Sequence, residues 1–185
     1  FFCHPQACGS TGLFDRQEIV LGKLVGSGTF CNVYQVRSFR LHETADDMCL
    51  QWTRDCISQN ATKRVGDSRY CIKFLQSRYM AHSAIFERAA SALHNEIEIF
   101  QSCRHDNICA IRGVAEKGSE AYYCNGTYDS YFWIMDRMVE TLEGRMKKWR
   151  SQHNTKRRLG VLWRNCSSSY LADPSLDDRM QTAHD

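Results

Sequence analysis

EIVLGKLVGSGTFCNVYQV, residues 18–36, holds two apolar runs parted by glycines. Glu18–Val25 is apolar and β-branched enough for a strand, and Gly26-Ser27-Gly28 breaks it. From Phe30 to Val36 the chain alternates. Phe30, Asn32, Tyr34 and Val36 fall on one face, and Cys31, Val33 and Gln35 on the other. Two strands around a glycine turn predict a β-hairpin. Two nearby glycines alone usually mark only a turn, so this stretch needs its neighbours to say more.

Working outward, Tyr70–Leu75 (YCIKFL) reads as a third strand with Lys73 set in an apolar run. From Ala84 to Cys103 the period changes. Ile85, Ala89, Leu93, Ile97 and Phe100 recur every three or four residues, which predicts an amphipathic helix ended by His105-Asp106-Asn107. Ile108–Val114 and Tyr131–Met135 read as a fourth and a fifth strand, joined by a loop over 115–130. Residues 38–68 are polar and lack a clean period, so they are expected to be a long insertion loop. Residues 1–17 read as an N-terminal tail. Leu142–Trp149 suits a short helix, and 150–170 reads as irregular. Pro174, Ser175 and Asp178 make a capping-box pattern, so a further helix is expected to begin near Ser175.

The chain has 185 residues, 43% apolar and 24% charged, in the range of an ordinary globular domain. A net charge of +3 does not point to a nucleic-acid or membrane partner for the whole chain. No apolar run approaches the roughly 20 residues that span a bilayer. The ten cysteines are irregularly spaced and form no CxxC pair, which fits reduced thiols used as small hydrophobes in a cytoplasmic protein. Cys3, His4 and Cys8 lack a fourth ligand at metal-site spacing. The sequons at Asn60, Asn125 and Asn165 carry no meaning without secretion.

The order of these parts resembles the small lobe of eukaryotic protein kinases. The residues that carry the resemblance are GSGTFCNV (26–33), YCIKFL (70–75), HNEIEIF (94–100), HDNICAIRGV (105–114) and YFWIMDRM (131–138). Together they span roughly residues 18–142 in family order. The HxNI…GV stretch looks somewhat like the tyrosine-kinase-like Ser/Thr kinases. The resemblance implies an α+β fold. It comprises a five-stranded antiparallel sheet and one main helix in residues 18–138, then a hinge and the start of a helical lobe over 139–185.

The resemblance also implies roles. Gly26 and Gly28 would let the backbone approach the phosphates of ATP, with Phe30 at the flap tip and Val25 and Val33 beside the nucleotide. The family's third glycine is Cys31 here, which puts a thiol near the phosphates. Lys73 matches the lysine that anchors the α- and β-phosphates. Outside that context it would read as a lysine whose stem packs while its amine reaches water. Cys71 would roof the adenine. Glu96 matches the helix glutamate that pairs with the lysine. Helical geometry separates it from Glu98, because Glu96 borders the apolar stripe while Glu98 lies about 200° round the helix. Met135 matches the gatekeeper, and Asp136, Arg137 and Met138 the hinge. The ribose contact falls on Glu140 or Thr141, with the hinge about one residue short.

Neither an HRD-type catalytic loop nor a DFG motif occurs in the sequence. Transfer of the γ-phosphoryl to a protein hydroxyl needs a base and carboxylates that hold Mg2+. The expectation is therefore a piece of a Ser/Thr kinase that binds ATP and is inactive alone, its Mg2+ ligands and protein-substrate contacts lying in a following lobe. Two other readings remain. One is a non-catalytic kinase-like nucleotide-binding or scaffold module. The other is a basic RNA-binding protein: residues 144–164 carry eight lysines and arginines and read first as a solvated insertion beyond the hinge, otherwise as an RNA-contacting patch or nuclear signal.

Overall fold

The structure is a computed structural model that describes residues 11–42, 48–62, 67–103 and 105–152. Expectations for Cys3, His4, Cys8, Asn165 and the helix near Ser175 lie outside the described residues. The chain divides into two compact units, Phe1–Arg137 and Met138–Asp185.

The first unit is α+β. Its strands are β1 (Gly12–Phe14), β2 (Ile19–Ser27), β3 (Cys31–Phe39), β4 (Tyr70–Leu75), β5 (Ile111–Ala115) and β6 (Phe132–Asp136). Its helices are α1 (Met48–Gln59), α2 (Ser83–Ser102) and α3 (Ala121–Asn125). In the second unit, residues 142–152 form α4. The strands make one sheet in the order β1-β5-β6-β4-β3-β2.

The expected five-stranded antiparallel sheet is corrected to six strands of mixed direction. The sixth comes from the segment read as a tail. Gly12, Leu13 and Phe14 pair in parallel with Gly113, Val114 and Ala115. The cause is packing. Phe14 is fully buried, and a Cβ on Gly113 would lie 2.6 Å from its ring. Glycine at 113 leaves room for that ring, whose burial stabilises by roughly 1.5–3 kcal/mol. Beyond β1, Asp15 and Glu18 close a capping box around a 3-10 turn at Arg16–Glu18, so the first strand of the hairpin starts at Ile19.

The insertion at 38–68 is also not all loop. β3 runs on to Phe39, and α1 fills Met48–Gln59. Its buried residues are Thr53, Arg54 and Ile57. Arg54 reaches the buried Glu18 in a close ion pair, and Glu18 also accepts hydrogen bonds from the amides of Asp15 and His42. The helix is thus docked through a charge. The remaining differences are smaller. β5 begins at Ile111 rather than Ile108, and α3 and a 3-10 turn occupy part of the 115–130 loop.

Alternation gives the sheet two unlike faces. On one, Tyr34 stacks on Phe74 at 5.3 Å, and Phe14 meets Phe39 at 5.1 Å. Ile72 and Ile134 fill the space between, fully buried. The other face carries Val33, Lys73, Trp133 and Val114 as successive register partners. There α2 lays down Ala89, Leu93 and Ile97, and its Phe100 meets Trp133 at 5.1 Å.

Candidate nucleotide site

The α2 face of the sheet does not close completely. A cleft of about 350 Å³ remains between the glycine turn, β4 and α2. Gly26, Gly28, Phe30, Cys31 and Val33 line it from the hairpin, Lys73 from β4, and Ala89, Leu93 and Glu96 from α2. A strand running YCIKFL puts Lys73 on the same face as Cys71 and Leu75. The α2 stripe brings Glu96 to the cleft because it lies one turn from both Leu93 and Phe100.

Lys73 Nζ lies 2.5 Å and 2.7 Å from the two oxygens of Glu96. The ammonium also sits 5.8 Å from the centre of the Trp133 ring, within reach of its π face. Both charged side chains keep some solvent exposure, 22% and 29%. Glu98 points elsewhere, toward His94 Nε2 at 3.3 Å. Cys31 is half-buried beside this pair. Burial pushes its thiol up to about 11; the Lys73 ammonium opposes that rise and the Glu96 carboxylate adds to it.

The turn itself is sparsely filled. A Cβ on Gly26 would meet nothing within 4 Å, and one on Gly28 only the Cys31 carbonyl at 3.6 Å. Neither glycine has a positive φ. The hairpin as it stands would accept alanine at both positions.

The other sequence-predicted residues stand apart from this cleft. Cys71 and Met135 are register partners, one alternation along the same face from Lys73 and Trp133. Cys71 is buried and Met135 half-buried. Val25 is exposed and does not line the cleft. Asp136 pairs with Tyr70 in the sheet, and its Oδ2 accepts from Arg112 Nη2 at 2.6 Å and Nε at 3.1 Å. Met138 belongs to the second unit and is exposed. Among the described residues no group of three His, Cys, Asp or Glu is arranged to hold a metal ion.

Sequence reasoning missed the residues that hold the turn. Gln76 Nε2 donates to Gly28 O at 2.8 Å and to Ser27 Oγ at 3.1 Å, and the Gln76 amide donates to Phe30 O at 2.9 Å. Arg78 Nη2 and Tyr79 Oη both donate to Thr29 O, at 3.0 Å and 2.5 Å. These bonds cross some fifty positions of sequence, and no local pattern announces them.

The basic segment looks different in the second unit. Arg145 and Lys148 both pair with Glu140, and Lys147 with Glu143. Both acids sit just ahead of the basic run. Among the described residues no helix is long and apolar enough to cross a membrane. No protein-family profile and no curated protein matches the chain.

Proposed function

We propose that the first unit binds ATP in the cleft under the glycine turn, in the manner of a protein-kinase small lobe. The observation that carries this reading is the Lys73–Glu96 pair on the wall of a cleft roofed by residues 26–31. A lysine amine fixed by a carboxylate, yet still partly exposed, is poised to take a phosphate oxygen as a further partner. The open space above Gly26 and Gly28 supports the same reading. Glycines that the hairpin does not itself require leave room for a ligand to approach the backbone.

Two supports come from beyond the cleft. The strands after β1 follow each other across the sheet as β2-β3-β4-β6-β5, with α2 inserted between β4 and β5. Cys71 and Met135 share the Lys73 face, where an adenine ring would lie further along the same surface. Transfer of the γ-phosphoryl to a protein Ser or Thr, with Mg2+, is proposed for the whole kinase, whose base and metal ligands would come from a helical lobe.

The test is calorimetric titration of ATP into the protein and into Lys73→Ala. Wild-type protein is expected to bind, and the variant to lose at least tenfold in affinity. Equal affinity of the two proteins would overturn the site. Affinity for RNA that falls steeply with salt, retained in Lys73→Ala, would favour the basic-segment reading instead.

A further inference from the structure

Three successive carbonyls of the glycine turn accept hydrogen bonds from one short segment. Gly28 O takes Gln76 Nε2, Thr29 O takes Arg78 and Tyr79, and Phe30 O takes the Gln76 amide. Gln76 Nε2 also donates to Ser27 Oγ at 3.1 Å and to Cys31 O at 3.4 Å, and within the turn Gly28 N donates to Cys31 O at 2.8 Å. Phe30 adds an edge-on contact with the Tyr79 ring at 5.6 Å. Gln76 is 93% buried, since 7% of its surface remains exposed. A buried amide side chain committed to backbone oxygens is a strong positional restraint.

Peptide planarity gives this arrangement a direction. In a trans peptide the carbonyl and the following amide point opposite ways. With the oxygens of residues 28, 29 and 30 turned toward 76–79, the amide hydrogens of Thr29, Phe30 and Cys31 turn away from that segment. Successive amides sharing one direction in a turn form an anion-accepting concavity. We propose that Gln76, Arg78 and Tyr79 are positioning residues that latch the glycine turn and pre-orient its amides for the phosphates of a nucleotide. This inference rests on the nucleotide reading above and deepens it. The latch spends no atom on the ligand; it lowers the ordering cost of binding by fixing the turn beforehand.

The test uses Tyr79→Phe, which removes one hydroxyl from a partly exposed ring, with Arg78→Ala as a second surface variant. Affinities for ATP and for adenosine are measured in each, alongside amide hydrogen exchange of residues 28–31 without nucleotide. The expected result is a roughly three- to tenfold weaker ATP affinity per lost hydrogen bond, unchanged adenosine affinity, and faster exchange in the turn. ATP and adenosine weakening together would mark a merely structural role and overturn the proposal. So would unchanged exchange, or unchanged ATP affinity in both variants. If those results came with ATP binding that still depends on Lys73, the latch would fall and the nucleotide site would stand. If wild-type protein bound no ATP, the nucleotide reading would fall and the latch, as a phosphate-positioning device, with it.

Discussion

Two ion pairs divide the work of this domain. Glu18–Arg54 lies against the aromatic face of the sheet and is sealed, with 3% and 4% of the side chains exposed. Lys73–Glu96 lies on the α2 face and is about a quarter open. The sealed carboxylate has its remaining capacity filled from inside. Glu18 takes the amides of Asp15 and His42, and the Arg54 guanidinium sits 5.8 Å from the centre of the Phe14 ring. The open pair borders a cleft and an empty stretch of backbone. The same chemistry thus serves cohesion where water is excluded and availability where it is admitted. What differs is the number of partners already supplied by the protein.

The largest expected effect comes from breaking the sealed pair. Arg54→Ala leaves a buried carboxylate uncompensated and should cost about 3–5 kcal/mol in urea unfolding. A loss under about 1 kcal/mol would erase the contrast between the two pairs. Next come the glycines on the two faces. Gly113→Ala forces a Cβ into the Phe14 ring and should cost about 1–3 kcal/mol. Gly28→Ala meets open space and should leave stability within about 0.5–1 kcal/mol of wild type, while weakening ATP binding. Equal destabilisation by both would remove the argument that the turn keeps glycine for a ligand.

Lys73→Ala should cost only about 1 kcal/mol of stability, because solvent screens what the pair loses. Its main effect belongs in the titration rather than the melt. A further effect is confined to alkaline pH. Burial raises the Cys31 thiol from 9.0 to about 11, so the unfolded chain releases that proton first. Below pH 9 the thiol is neutral in both states and its contribution is constant. From pH 9 to about 11 stability should fall, and should fall less in Cys31→Ser. Alkylation at pH 8 should accordingly label the exposed Cys124 well before Cys31.

Much of the central sheet was legible because its signals are local. YCIKFL and YFWIM are short apolar runs, and α2 repeats apolar residues at helical spacing over twenty positions. The same spacing distinguished Glu96 from Glu98. β1 was not legible, since three residues carry no period and its seat depends on the room that glycine at 113 leaves for the Phe14 ring. α1 escaped for another reason. Two of its three buried residues are Thr53 and Arg54, so it lacks the apolar stripe that announces a docked helix. The hold of residues 76–79 on the turn was invisible because its acceptors are backbone oxygens, which every sequence has.

The parallel strand at the sheet's edge bears on how the chain assembles. Gly12 leaves the ribosome roughly a hundred positions ahead of its partner Gly113. Phe14 therefore waits, uncovered, through synthesis of the hairpin, α1, β4 and α2. Such long-range closure is slow relative to local pairing. The edge strand should be the last piece to seat in folding and the first to lift away when the domain is strained.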